Sequence, residues 1–434
     1  MDHPHKDNVA FELTEAGSAT SSTNVKTVGN TVAEKFRGTS ADQHEMSVMG
    51  KQQVLRVYLA SVAFLVGTII QGLIALNVPD YAWAPWHGTL LTIAVILFSA
   101  IFNTTWASRL PVLEGSVLIL HILGFFAIVI PLWVMGPRAK PEVVLLEFTN
   151  NGGWPTKGLS AMVGLLAPQA VLTGYDCSVH MSEEIKDASI TLPRAIMGSM
   201  ALNATLVFLM SVTLIFTLGD VDSILETTTG YPFIQVFYNT TQSYAAANTM
   251  TALIIVLLTA CCISEVATAS RQIWSFARDK GLPGSPWLSR VSPGWNIPLP
   301  AVIVSITITS LISLINLGSS VALAAITSLG ALAVLVSYFL TIGCVLHRRI
   351  VGPALPMRRW SLGKLGLAIN VAALCFLTPL IFFLTWPMVT PVVASTMNWS
   401  SIMLVGTLII AMVFYVFKGR HEYTGPVVDV KRYE

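Results

Sequence analysis

The chain has 434 residues, of which 54% are hydrophobic and 11% charged, and its formal net charge is +2. A soluble domain carries roughly a quarter charged residues, so this chain lacks the polar coat that water demands, and a bilayer is the solvent that relieves the conflict. The near-neutral balance also gives no basic field for nucleic acid.

Residues 1–56 are polar, rich in Ser, Thr and charge, and without periodicity, so they read as a disordered cytoplasmic tail. No apolar run lies near Met1 to serve as a secretory signal. Residues 57–417 then supply charge-free windows long enough to cross roughly 30 Å of hydrocarbon, which takes about 20 residues of helix. They are Val57–Pro79, Tyr81–Ser108, Gly115–Pro137, Gly158–Tyr175 and Ala195–Gly219, with one more in the second half of Thr227–Ser264. Val291–His347 holds two, broken at Asn316-Leu-Gly-Ser-Ser320, and Leu365–Phe417 holds two, broken around Trp386–Ser400. The expectation is an all-α polytopic membrane bundle of about ten helices with a cytoplasmic tail at 418–434. The tryptophans fall at window ends or in loops, the positions of an interfacial aromatic belt.

Loop charge sets the expected orientation. Arg109, Lys186, Arg194, Arg271, Arg278, Lys280, Arg290, Arg348, Arg349, Arg358, Arg359 and Lys364 share one set of connections, whereas the alternate set holds Arg138, Lys140 and Lys157. The richer set, with both termini, is therefore read as cytoplasmic. The sequons at Asn239 and Asn398 then fall outside as glycosylation acceptors, while those at Asn103 and Asn203 fall inside spans.

The fourth window departs from the others. It reads Leu165-Leu-Ala-Pro-Gln-Ala-Val-Leu-Thr-Gly-Tyr-Asp-Cys177. Proline removes a backbone donor and glycine lowers helix propensity, so the helix is expected to kink or unwind here. Discontinuous helices free backbone groups near the midplane, where transporters bind solute and coupling ions. Thr173, Gly174, Tyr175 and Asp176 are the substrate-binding candidates. The plainer alternative is a proline kink with Asp176 at the interface. Asp176 is costly in lipid unless it faces a cavity or a partner, and Tyr175 offers a ring face to an ammonium group.

Glu265, in Cys262-Ile-Ser-Glu-Val-Ala, closes a long charge-free window and reads either as a gating or coupling carboxylate or as a snorkelling residue. His121 reads as a packing histidine. The stretch Met181-Ser-Glu-Glu-Ile-Lys-Asp-Ala-Ser-Ile-Thr-Leu-Pro-Arg194 reads from its composition as a solvated connector, with a short amphipathic gating helix that carries Glu183 as the alternative. The five cysteines show no CxxC spacing, which argues against a disulfide framework and a zinc site. No Walker loop, HExxH, GxSxG or dinucleotide fingerprint stands in a fitting context, so neither cofactor, metal nor enzymatic activity is expected.

Three blocks carry a family resemblance: Leu172-Thr-Gly-Tyr-Asp-Cys-Ser-Val-His-Met-Ser-Glu-Glu-Ile-Lys-Asp-Ala-Ser189 with Pro193-Arg194; Ala269-Ser-Arg-Gln-Ile-Trp-Ser-Phe-Ala-Arg-Asp-Lys-Gly-Leu-Pro283; and Asp42-Gln-His-Glu-Met-Ser-Val-Met-Gly-Lys51. They resemble the fungal amino acid, GABA and choline permeases of the amino acid–polyamine–organocation superfamily. The resemblance implies a LeuT-like inverted-repeat fold of twelve spans, with broken first and sixth helices and a central substrate site. It also implies proton-coupled uptake of an amino acid, GABA, choline or a polyamine, at the plasma membrane or at a vacuolar or other internal membrane. The fourth window matches the family's sixth helix, and Thr173 to Asp176 its unwound stretch. One departure stands out: Lys51-Gln-Gln-Val-Leu-Arg56 runs straight into Val57-Tyr-Leu-Ala-Ser-Val-Ala-Phe, which resembles the middle of the family's third helix. The family's first two helices are therefore expected to be absent. That leaves two readings, a permease sequence lacking two spans or a non-transporting relative with a regulatory or partner role.

Overall fold

Nine helices among the described residues are long and apolar enough to cross a bilayer. The computed structural model describes residues 40–292, 297–318, 320–353, 355, 359–394 and 396–422. Two compact units are distinguished, 1–43 and 44–434, and every contact given below lies in the second. In chain order the main helices are α1 (Ser40–Asn77), α2 (Pro85–Thr105), α3 (Leu110–Met135), α4 (Lys157–Val163), α5 (Leu166–Val171) and α6 (Ala188–Thr217). They continue with α7 (Pro232–Thr241), α8 (Tyr244–Arg278), α9 (Leu299–Gly318), α10 (Ser320–Ile350), α11 (Leu365–Leu384) and α12 (Ser400–Phe414). The chain is thus an all-α multi-span protein, as its hydropathy predicts. The nine continuous spans match nine of the ten expected windows, and the fourth window is the broken pair α4–α5.

Some boundaries differ from the sequence expectation. Helix α1 begins at Ser40, so part of the expected tail is helical; the rest of that tail, 1–39, and residues 423–434 lie outside the described residues. Helix α8 runs on to Arg278, which puts Arg271 and Arg278 on a helix rather than in a loop. A charge-based window stops at the first carboxylate, whereas a helix needs only continued backbone pairing.

Helix α8 is the hub. It packs against α2, α3, α7, α9 and the turn after α5. One core joins α1, α2, α8 and α9 through Leu59, Ala63, Val66, Val95, Ile96, Cys262, Val266 and Val302. Cys262 and Val266 flank Glu265 along α8, so the most deeply packed part of the bundle fixes the position of that carboxylate. A second core joins α3, α7 and α8 through Ile128, Leu132, Val236, Phe237, Ala247 and Met250. A third joins α10 to α11 through Leu332, Leu335, Leu377, Leu380 and Leu384. Half of the apolar window in α1 is buried but only 6% of that ending the chain's last span at Gly419, which marks the latter as peripheral.

Hydrocarbon supplies no hydrogen bonds, so polar side chains in the spans must be satisfied internally. Thr92, Ser99, Thr309 and Ser313 each donate to the carbonyl one turn back. Asn103, whose sequon falls inside a span, donates at 2.8 Å both to Ser99 O and to Ile263 O, tying α2 to α8. Gln71 Nε2 donates to the Tyr81 hydroxyl at 3.1 Å and to Ala84 O at 3.3 Å, pinning the α1–α2 turn.

Close approach of α1 and α2 depends on glycine. A Cβ on Gly67 would lie 2.8 Å from the Thr92 backbone nitrogen, whereas one on Gly115 would meet nothing within 4 Å. Small residues let membrane helices pack at short range. Gly67→Leu is expected to cost about 1–3 kcal/mol through overpacking. Thermal unfolding of the detergent-solubilised protein checks this: the Gly67 variant melts several degrees lower and Gly115→Leu does not. Equal melting of the two would remove the close approach.

Candidate functional site

The site begins with a backbone defect. Pro168 has no N–H to give to the carbonyl of Gly164, and the helix is interrupted there, α4 ending at Val163 and α5 beginning at Leu166. Helix α5 ends in turn at Val171, and residues 172–176 form turns before a 3-10 segment, Cys177–Glu184. Gly174 has φ 104°, a left-handed conformation that L side chains rarely adopt. Space is not the constraint, since a Cβ at Gly174 would meet only Cys177 Sγ, at 3.9 Å. The fourth span is therefore interrupted twice, once a turn ahead of the expected stretch and once within it.

The sequence reading expected freed backbone groups at this break. Two of the carbonyls are taken up within turns: Gly174 O accepts from Cys177 N at 3.1 Å and Asp176 O from Val179 N at 2.9 Å. Thr173 is held in place by Gln169, whose Nε2 donates to Thr173 Oγ1 at 2.7 Å while Thr173 Oγ1 donates to Gln169 O at 3.0 Å.

A cavity of about 50 Å³ opens beside the break, lined by Tyr58, Thr173, Gly174, Asp176, Cys177, His180, Glu265 and Val334. A water needs about 10–15 Å³ on this kind of measure, so the space suits a few waters or one small polar headgroup. Three of the four expected substrate-binding residues, Thr173, Gly174 and Asp176, meet the expected coupling residue Glu265 at this cavity. Tyr175 is not among the lining residues. Its ring lies 5.4 Å from that of Tyr338 and it is 38% exposed. Glu183 falls in the 3-10 segment, and its side chain lies outside the described residues.

The two carboxylates differ in surroundings. Asp176 Oδ2 lies 4.0 Å from His180 Nε2, one helical turn on. Glu265 Oε2 is buried and has no hydrogen-bond partner. Neighbours of Glu265 on α8 are engaged elsewhere: Ser264 Oγ bonds the Glu114 carboxylate, and Arg271 Nη1 donates to Ala267 O at 3.2 Å. A buried carboxylate without a partner is expensive.

Four lining residues escaped the sequence reading. His180 carried a signal, its i,i+4 spacing from Asp176. Tyr58 and Cys177 stood beside residues that were noted, and Val334 offered no local signal. The expected glycosylation sites are also in view. Asn239 Oδ1 accepts from Gln235 Nε2 at 2.8 Å within α7. Asn398 Nδ2 donates to Leu384 O at 2.8 Å and to Trp386 O at 3.3 Å, while its Oδ1 accepts from Ser400 N at 3.1 Å, joining the end of α11 to the start of α12.

Comparison with known proteins places this geometry in context. A family model described as amino acid permease matches residues 54–409. A choline transporter of Saccharomyces cerevisiae is 30% identical over 370 residues, covering 84% of this chain and 64% of that protein. Amino-acid permease 2 of Neurospora crassa is 28% identical over 358 residues, 81% of this chain and 65% of that protein. Amino-acid permease BAT1 of Arabidopsis thaliana is 26% identical over 387 residues, 86% of this chain and 74% of that protein. The chain spans less than two thirds of the length of the yeast and Neurospora relatives.

Proposed function

The chain belongs to the amino acid permease family, and from that premise we propose that it is the membrane domain of a secondary transporter for amino acids or related amines such as GABA or choline, coupled to protons. The observation that carries the reading is the cavity beside the twice-broken span, with Thr173, Gly174 and Asp176 on one side and Glu265 on the other. Broken helices at membrane depth are tolerated where they line a cavity, and transporters use such breaks to hold solute. Two carboxylates in the bundle interior suit a cationic amine, and they are the groups that would take up a coupling proton. Names of relatives, a choline transporter and amino-acid permeases, agree with a small nitrogenous solute.

Cys177 gives a direct test, because it lines the cavity. A bound solute is expected to slow its modification by a small membrane-permeant thiol reagent, read by peptide mapping of the intact chain, while Cys375, exposed within the α11 span, reacts at an unchanged rate. If choline, GABA, lysine and alanine at tens of millimolar all leave Cys177 modification unchanged, the cavity is not the substrate site.

The proposed orientation puts both termini in the cytoplasm at the plasma membrane or another cellular membrane. Tags placed after Lys418 and within Gly136–Gly158 are then expected on opposite faces. Protease protection of both tags from the same face would refute the span assignment.

A further inference from the structure

Resting on the proposed orientation, we propose that Ser361 is a phosphorylation site for a protein kinase with an acidic peptide groove, and that its phosphate draws Arg359 away from Asp187. Residues 359–364, which lead into α11, belong to neither helix nor strand, and Ser361 is exposed there. In sequence it follows Arg358 and Arg359 by three and two positions. From Arg348 to Lys364 the chain carries five cations and no carboxylate. An acidic groove reads such a pattern through charge-assisted hydrogen bonds, and an exposed segment outside regular structure can be drawn into it. In the transfer, the Ser361 hydroxyl oxygen bonds to the γ-phosphorus of a nucleoside triphosphate, and the bond from that phosphorus to the β,γ-bridging oxygen breaks. Nucleoside diphosphate leaves, and the hydroxyl proton passes to the catalytic base of the kinase.

The phosphate would arrive among groups that already hold a defined arrangement. Ser361 Oγ accepts from Gly363 N at 3.0 Å, and Lys364 is the N-cap of α11. Arg359 Nη1 bonds Asp187 Oδ1, which ties the approach to α11 to the turn that opens α6. Asp187 shapes that turn: its backbone is left-handed at φ 52°, and its carbonyl accepts from Ile190 N at 3.1 Å and Thr191 N at 3.0 Å. The ion pair therefore links the chain leaving the broken span to the chain entering α11. Its side chains are 61% and 49% exposed, so water screens the pair and it is weak. A phosphoserine brings about −1.5 to −2 charge and three acceptor oxygens within two positions of Arg359. The guanidinium fork suits a phosphate, and a dianion at that range outcompetes a screened carboxylate for it. The phosphate also lies just ahead of the α11 N-terminus, where the helix dipole favours negative charge.

The full chain in detergent, incubated with the catalytic subunit of cyclic-AMP-dependent protein kinase, magnesium and ATP, is expected to gain phosphate on the peptide that holds Ser361. Ser361→Ala is expected to abolish labelling of that peptide. Trypsin cleavage after the exposed Lys186, beside Asp187, reads the ion pair. Phosphorylation is expected to raise its initial rate roughly twofold to fivefold, the range that loss of an exposed pair commands. Arg359→Ala is expected to raise it equally, and phosphate on Ser361 of that variant to change it no further. A Ser361 peptide without phosphate overturns the site. Phosphate on Ser361 with Lys186 cleavage unchanged overturns the release of Asp187. In sealed vesicles the kinase is expected to reach Ser361 from the face that exposes a tag after Lys418. Labelling from the opposite face alone, with labelling in detergent intact, overturns the cytoplasmic placement on which the proposal rests.

Discussion

Sealed vesicles carrying the 434-residue chain are expected to take up choline, GABA or amino acids no faster than empty vesicles, and inserting the family's first two spans between Arg56 and Val57 is expected to restore saturable uptake. Helix α1 runs without interruption across that junction, from Ser40 to Asn77, so the tail motif passes directly into a span. In the family pattern that this motif resembles, the first helix supplies an amide-rich break opposite the sixth, and the two together enclose the solute. On the proposed reading, the cavity described above is one wall of such a site. Charge-assisted hydrogen bonds contribute about 1.5–3 kcal/mol each, and every 1.4 kcal/mol is about tenfold in affinity. Two missing bonds would therefore weaken binding by roughly 10² to 10⁴. The labelling assay uses millimolar solute to offset that loss. Saturable uptake by the unaltered chain would show that the wall is sufficient and would sink the argument. No uptake from the extended chain would favour the other reading, a family member acting as a regulatory or assembly partner.

In the extended form, Asp176→Asn and Glu265→Gln are each expected to lower uptake about tenfold to a hundredfold, and His121→Asn to leave it near the unaltered rate. The first two remove a charged acceptor from the cavity wall, a loss of about 1.5–3 kcal/mol where the partner is a cation. His121 sits half-buried on α3 and is not among the lining residues. Initial rates with each variant at matched expression decide the matter. Equal losses at His121 and Asp176 would mean that the carboxylate acts through folding rather than through the site. A loss confined to Glu265 would assign Asp176 to holding His180 and the turn in place.

The sequence by itself determined the architecture, because the cost of exposing charge or backbone to hydrocarbon is paid within each segment. Charge-free windows of sufficient length therefore located all nine continuous spans among the described residues, and Pro168 and Gly174 marked the broken one. Local chemistry also explains the break: a missing amide facing Gly164 and a left-handed backbone at Gly174 are written in a dozen consecutive residues. The sequence likewise singled out Asp176 and Glu265, since a carboxylate in an apolar run is conspicuous wherever its partner lies. Only the tertiary structure decided that the two share a cavity, that Tyr58 and Val334 complete its wall, and that Tyr175 turns aside to Tyr338. Those residues come from α1, the turn after α5, α8 and α10, and their meeting depends on how the helices pack. Periodicity assigns a helix its lipid face but not its neighbour. Membrane helices associate through shape and small-residue contacts, such as Gly67 against Thr92, and such fits are a property of two surfaces brought together.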